Sequence, residues 1–114
     1  MTEFPPPGGK QLVLDTDAIA RQPREPMHPG VSYTILWRQD RQAAGLMWIE
    51  PDATVPEHTH ASAEHHIWLV DGGAIVDGHA VGPGSYWHVP TGVPHSVVGA
   101  TPDGATLFYL YLRR

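Results

Sequence analysis

Short apolar runs separated by turn-forming residues recur along most of the chain. From Val31 to Arg38 the residues are mainly β-branched and aromatic, and the same character returns from Ala43 to Glu50 after a polar connection. This pair predicts an antiparallel hairpin. Further strands are predicted at Thr54–His60, Ile67–Val70, Ala74–Val76, Tyr86–Val89, His95–Val98 and Ala105–Leu112. Roughly eight or more short strands predict an all-β sandwich or barrel.

Glycine and proline supply the turns between these runs. The chain has 12 of each, far too many for a helical bundle of 114 residues. Asp71-Gly72-Gly73 is a strong signal for a tight turn, so the strand Ala74–Val76 is predicted to run back antiparallel to the preceding one. Asp77-Gly78 and Gly82-Pro83-Gly84 predict two further turns.

The N-terminal region has a different character. Residues 1–10 include Pro5-Pro6-Pro7-Gly8-Gly9 and are expected to form a flexible, extended arm, with residues 11–114 as the folded domain. Leu12–Leu14 is predicted to be a short edge strand, and Asp15 to cap a helical turn across Asp17–Ala20.

Length, charge and cysteine content limit the possible functions. A chain of 114 residues forms one domain that can bury a real core. Cysteine is absent, which excludes disulfides and thiolate ligands. With a net charge of -5 and no basic stripe, nucleic acid is not an expected partner. No signal peptide or apolar run of roughly 18 residues is present, so no membrane is expected and the cytoplasm is the simplest compartment.

Histidines are concentrated between Pro56 and Gly72, which hold four of the eight. If the chain is extended there, side chains two apart point the same way, so His58 and His60 present their imidazoles to one face. A loop and a returning strand could bring Glu64, His65 or His66 to the same point. The stretch therefore predicts most of a metal site.

A further candidate ligand, His95, follows two rigid turns. Pro90 and Pro94 fix their own φ angles and Gly92 permits a positive φ, so the backbone that enters His95 has few options. A ligand that must be placed accurately requires such a backbone. Nitrogen and oxygen donors without sulfur suit one divalent transition metal ion: Fe, Mn, Ni, Cu or Zn.

The two stretches resemble the two motifs of the cupin superfamily. The first motif is Gly, five residues, His-x-His, three or four residues, Glu, six residues and Gly. The second is Gly, five residues, Pro-x-Gly, two residues, His, three residues and Asn. The matching positions are His58, His60 and Gly72 in the first motif and Gly84, Pro90, Gly92 and His95 in the second.

The chain departs from this pattern at three positions. Asp52 replaces the opening glycine of the first motif, and Gly99 replaces the asparagine of the second. Counting back from Gly72 reaches His65 where the family has glutamate, while Glu64 is one residue too far away. The resemblance therefore implies four ligands: His58, His60, His65 and His95. The alternatives are Glu64 or His66 as the fourth ligand, or three histidines alone.

The resemblance covers about residues 31 to 112 and implies a single-domain cupin, which is a double-stranded β-helix or jelly-roll barrel. Within the superfamily the chain is most similar to the ChrR-like group and to acetylacetone-cleaving dioxygenases, which have three-histidine iron sites. This implies a metal-dependent dioxygenase-type enzyme that acts on a carbonyl, enol or phenolic small molecule, with Glu64 or His88 as general base. The alternative is a non-catalytic metal-binding sensor or small-ligand-binding module.

Three further expectations follow. Small cupins commonly pair, which implies a homodimer with Leu12–Leu14 as a candidate for strand exchange. Lys and Arg are absent near the motifs, which argues against phosphorylated or strongly anionic substrates. His28, beside a proline, and His79, in a turn, are expected to be structural or surface residues rather than ligands.

Overall fold

A computed structural model describes residues 11–113, so the arm predicted for residues 1–10 lies outside the described residues. This part of the chain contains one short helix, α1 (Thr16–Ala20), and ten strands. The strands are β1 (Glu25–His28), β2 (Val31–Gln39), β3 (Gln42–Ile49), β4 (Thr54–His58), β5 (Ala63–Gly72), β6 (Ala74–Val76), β7 (His79–Val81), β8 (Tyr86–Val89), β9 (His95–Gly99) and β10 (Ala105–Arg113). The predicted all-β class is confirmed.

The strands form two antiparallel sheets that pack on each other as a jelly roll. One sheet has six strands in the order β1-β2-β3-β10-β5-β8, and the other has four in the order β4-β9-β6-β7. Both sheets contribute to the core: Met47, Ile49, Ile67, Leu69, Leu107 and Tyr109 come from the first, and Val55, Ala74 and Val97 from the second. The core therefore lies between the sheets.

Alternation along β5 and β10 determines which side chains face this core. On β5, Ala63, His65, Ile67 and Leu69 are buried, while the residues between them are more exposed. His65, Ile67 and Leu69 therefore share the core-facing side of β5. Because β10 lies between β3 and β5, its buried positions reach the middle of the molecule.

Local patterning placed several elements correctly. The predicted hairpin is β2 and β3, paired from Val31 and Ile49 to Gln39 and Gln42. Asp15 caps α1, since its carboxylate accepts a 2.8 Å hydrogen bond from the backbone nitrogen of Ala18. Among residues 11–113, no helix has the length and apolar character to cross a membrane.

One prediction at the N-terminal end was wrong. Leu12–Leu14 is not a strand, and Val13 is 73% exposed. Instead β1 forms the edge of the six-stranded sheet, where it pairs only with β2. Pro26 fits there because an edge strand can present a residue without an N–H to solvent.

The predicted return of Ala74–Val76 on the preceding strand was also wrong. β6 pairs with β7 and β9 in the four-stranded sheet, not with β5. The chain changes sheets at Gly72, which has a φ of +79°, and the N–H of Gly73 donates to the carbonyl of Gly104. A side chain at Gly72 would collide with that carbonyl, so the crossing requires glycine.

Candidate metal centre

Three of the predicted ligands converge where β4 meets β9. His58 lies at the end of β4 directly opposite His95 at the start of β9, and His60 follows two residues after His58. The Nε2 atom of His60 lies 3.2 Å from Nε2 of His58 and 3.1 Å from Nε2 of His95. One nitrogen from each of the three rings thus lies within 4.8 Å of the others.

The loop between β8 and β9 supports this arrangement. The N–H of Gly92, whose φ is +79°, donates a 2.8 Å hydrogen bond to the carbonyl of His60. The N–H of Val93 donates to the carbonyl of Pro90 at 3.2 Å. The same loop therefore leads into His95 and holds the backbone of His60.

Hydrogen bonding gives the cluster an excess of nitrogen lone pairs. Nδ1 of His58 lies 2.7 Å from the carbonyl oxygen of Pro56, which can only accept, so Nδ1 is the donor and in the neutral tautomer Nε2 carries the lone pair. Nε2 of His60 faces that lone pair and also Nε2 of His95. A neutral imidazole nitrogen has one proton or one lone pair, so only one of these two contacts is a well-aligned hydrogen bond. A cation would satisfy all three nitrogens.

The electrostatics keep the rings in the form that binds metals. Burial, and then the neighbouring His58, lowers the pKa of His60. Burial, followed by His58 and His60, lowers the pKa of His95 to about 4. Both imidazoles are therefore neutral at neutral pH, as coordination requires.

His65 lies beside this cluster but is not one of the three closest nitrogen donors. Its ring centroid is 5.0 Å from that of His60 and 5.2 Å from that of His95, and its ring stacks on Tyr111 at 4.2 Å. The side chain is 3% exposed, and neither ring nitrogen has a hydrogen-bond partner. Burial, with smaller contributions led by His60, lowers its pKa to about 2. A buried imidazole without a partner is costly, and a metal ion would provide one.

The donor geometry fits a transition metal ion. Ligands about 2.1 Å from a common ion lie about 3.0 to 3.4 Å apart in octahedral or tetrahedral geometry. The observed Nε2 separations of 3.1 and 3.2 Å fall in this range. An all-nitrogen set from histidine suits Fe, Ni, Cu or Zn better than Mg or Ca.

The cluster borders a cavity of about 450 Å³ between the two sheets. Its apolar walls are formed by Met27, Met47, Val55, Pro56, Ile67, Val97 and Leu107. Polar groups in the lining come from His28, Glu57, His58, His65, Tyr109 and Tyr111. The size and the few convergent polar groups are typical of a small-molecule site. His28, expected to be a surface residue, is exposed but also lines this cavity.

Sequence analysis missed Tyr109 and Tyr111. Leu107, Tyr109 and Tyr111 are each two residues apart on β10, so they share one face of the strand. Their position on the face of an apolar residue, Leu107, was the signal that could have found the two tyrosines. Burial raises the pKa of Tyr111 to about 12. Burial, and then Tyr111, also raises the pKa of Tyr109. Both hydroxyls therefore stay protonated at neutral pH.

The predicted general bases, Glu64 and His88, lie on the other side of the six-stranded sheet. Nε2 of His88 is 2.8 Å from Oε1 of Glu64, and neither residue lines the cavity. Alternation explains this placement: Glu64 precedes the inward-facing His65, and His88 precedes the buried Val89. This position gives their predicted role in catalysis no support.

The overall structure resembles several solved cupins. KdgF from Halomonas sp. superposes with a TM-score of 0.73 at 20% identity, over 83% of this chain and 90% of that one. An RmlC-like cupin from Shewanella frigidimarina gives 0.72 at 22% identity, over 83% and 86%. The anti-sigma factor ChrR of Rhodobacter sphaeroides, in complex with SigE, gives 0.69 at 19% identity, over 77% of this chain and 47% of that one. These likenesses establish the cupin fold.

A search of the curated proteins gave no match. A family model described as the ChrR cupin-like domain matches residues 10–112, which is nearly the whole chain. The fold, the paired histidine motifs and this match agree, and the chain belongs to the ChrR cupin-like family.

Proposed function

We propose that the chain is a metal-dependent cupin enzyme of dioxygenase type, acting on a small molecule with a carbonyl, enol or phenol oxygen. The observation that carries this proposal is the convergence of the Nε2 atoms of His58, His60 and His95 beside a largely apolar cavity. His65, whose two ring nitrogens lack partners, is the proposed fourth ligand. An ion held there would supply Lewis acidity toward the substrate oxygen and a redox centre for dioxygen.

The other lining residues have separate roles in this proposal. Apolar side chains such as Val55, Ile67 and Leu107 would exclude water from the bound substrate. The protonated hydroxyls of Tyr109 and Tyr111 would donate hydrogen bonds to substrate oxygens. No Lys or Arg is among the described lining residues, which favours a neutral or weakly anionic substrate.

In this proposal the general base is Glu57, which lies at the cavity, and not the outward-facing Glu64 or His88. Glu57 lines the cavity, and so does its neighbour His58, which is a candidate metal ligand. A general base must reach the proton that it abstracts, and Glu57 meets that condition better than Glu64 or His88 on the other side of the sheet. Glu57→Gln should therefore reduce kcat more than Glu64→Gln.

Metal analysis followed by oxygen uptake tests the proposed activity. Protein loaded anaerobically with Fe(II) is mixed with a panel of β-diketones and catechols, and oxygen consumption is recorded. We expect at least one compound to be turned over, and His60→Ala to lose that turnover while His79→Ala keeps it. Failure of every compound to stimulate oxygen uptake above the His60→Ala background would contradict a dioxygenase of this substrate class.

A non-catalytic metal-binding sensor or ligand-binding module is the second candidate. Two observations favour it: the match to the ChrR cupin-like domain, and the outward position of Glu64 and His88, which leaves few groups for catalysis. ChrR itself was solved in complex with a sigma factor. Metal-dependent thermal shifts with members of the same panel, without any turnover, would support this second candidate.

A homodimer is also part of the proposal. Leu12 and Val13 are 41% and 73% exposed in the single chain. Adjacent exposed apolar residues favour burial against a second copy. This segment is the proposed contact.

A further inference from the structure

We propose a second metal-binding site, formed by Glu64, His66 and His88 on the outer face of the six-stranded sheet. A carboxylate oxygen and one ring nitrogen from each histidine all lie within 4.8 Å of one another. Two imidazoles and a carboxylate form a donor set that suits Zn²⁺, Ni²⁺ or Cu²⁺. Zn²⁺ is the ion assigned to it here.

The sheet itself aligns these donors. His66 on β5 is the direct cross-strand partner of His88 on β8, and their rings stack with centroids 4.7 Å apart. Glu64 lies two residues before His66 and so projects from the same face. Because the three residues lie on paired strands, their backbones are fixed before any ion binds.

Hydrogen bonds already orient two of the side chains. Nε2 of His88 lies 2.8 Å from Oε1 of Glu64, so the proton on that nitrogen points at the carboxylate. Zn²⁺ would take the place of this proton between nitrogen and oxygen. Nδ1 of His66 shares a 2.8 Å hydrogen bond with the hydroxyl of Tyr86, which fixes the orientation of the ring as partners of metal-binding histidines do.

The outer site is separate from the histidine cluster inside the barrel. Glu64, His65 and His66 are consecutive, so His65 projects to the core while its two neighbours project to the outside. His88 is 36% and Glu64 33% exposed, which leaves room for water as a further ligand. Loss of donors on one face should therefore leave the ion on the other face in place.

Zinc titration of the chelator-treated full chain, by calorimetry with metal analysis after desalting, tests this site. We expect His88→Ala to bind one zinc ion fewer per chain than the wild type, and Glu64→Gln to weaken the same site by more than about tenfold. His79→Ala is the matched control, because His79 is an exposed histidine outside the cluster and should titrate like the wild type.

His60→Ala separates this proposal from that of the inner centre. His60→Ala should remove the inner ion and keep the outer one, whereas His88→Ala should do the reverse. If only one of the two sites exists, only one of these variants will lose zinc. Circular dichroism of each variant checks the fold, and Glu64→Gln preserves side-chain shape in case His88→Ala unfolds. If His88→Ala and Glu64→Gln both bind as much zinc as the wild type, with the same affinity, the outer site does not exist.

Discussion

Glu64, His65 and His66 are consecutive residues of β5, and their side chains project from two faces of one sheet. Side chains alternate along a strand, so His65 shares a face with Ile67 and Leu69, and burial follows that pattern. The sequence could not reveal that Nδ1 of His58 donates to the carbonyl of Pro56. That contact depends on the local path of the backbone, which residue spacing does not determine.

The lowered histidine pKa values predict how the metal-free protein responds to acid. The pKa values of His65 and His95 fall from 6.5 to about 2 and about 4. Below pH 6.5 the unfolded chain takes up protons at these side chains while the folded chain does not, so stability falls as the pH falls from 6.5 toward 4. Each of the two histidines contributes at most about 1.4 kcal/mol per pH unit, and the partly exposed His95 contributes less because solvent screens it.

Denaturant unfolding of metal-free protein across this pH range measures the effect. Substitution of His65→Leu removes one titrating group and should make the dependence of the unfolding free energy on pH shallower. The exposed His79→Gln should leave the slope unchanged. A His65→Leu slope equal to that of the wild type would mean that His65 titrates normally in the folded chain.

The strands were predictable where local patterning defines them. β2, β3, β8, β9 and β10 follow β-branched and aromatic runs bounded by turn residues, and they lie within a residue or so of their predicted ranges. The sheet that each strand joins was not predictable. At Gly72 the chain crosses from one sheet to the other because of contacts with Gly104, which is 32 positions further along the sequence.

Gly99 shows a physical reason for a departure from the family motif. It stands at the end of β9 where the motif has asparagine, its N–H donates to the carbonyl of Ala53, and its carbonyl accepts from Asp52, both at 2.9 Å. A Cβ there would overlap the carbonyl oxygen of Glu50 and lie 2.9 Å from that of Ile49. This junction between β9 and the end of β3 therefore has no room for a side chain.

Replacement of Gly99 by the motif's own residue should destabilise the fold. We expect Gly99→Asn to lower the free energy of unfolding by about 1 to 3 kcal/mol, since backbone carbonyls must move to accept the side chain. Urea unfolding measures this. Gly82→Ala is the control, because a Cβ at Gly82 meets nothing within 4 Å. Equal stability of Gly99→Asn and the wild type would contradict the packing at this junction.

The molecule as a whole has a fold that it shares with several solved cupins. Solved cupins at 19% to 22% identity share the fold. One fold carries many activities, so function must be argued from the site. The paired motifs predicted that His58, His60 and His95 lie close together, because the spacing within each motif is local. The cavity, with Tyr109 and Tyr111, could not be predicted, because it depends on how both sheets pack.

Oligomeric state is a property of the assembled molecule. We expect the 12.5 kDa chain to elute from gel filtration with light-scattering detection at about twice its mass. Val13→Asp should shift the protein toward monomer, because it puts a charge into the proposed contact. Ile75→Asp, at an exposed apolar residue of the four-stranded sheet outside the proposed contact, should not. A wild-type mass of 12.5 kDa would contradict the dimer.

The metal content of the inner histidine cluster tests the central claim most directly. Protein carrying His88→Ala, so that the outer cluster cannot contribute, is loaded anaerobically with Fe(II), desalted and analysed for iron. The parent variant should retain one ion per chain, a further His79→Ala substitution should change nothing, and a further His60→Ala substitution should remove the iron. If the protein with His60→Ala retains as much iron as its parent, the histidine cluster between the sheets is not the metal centre.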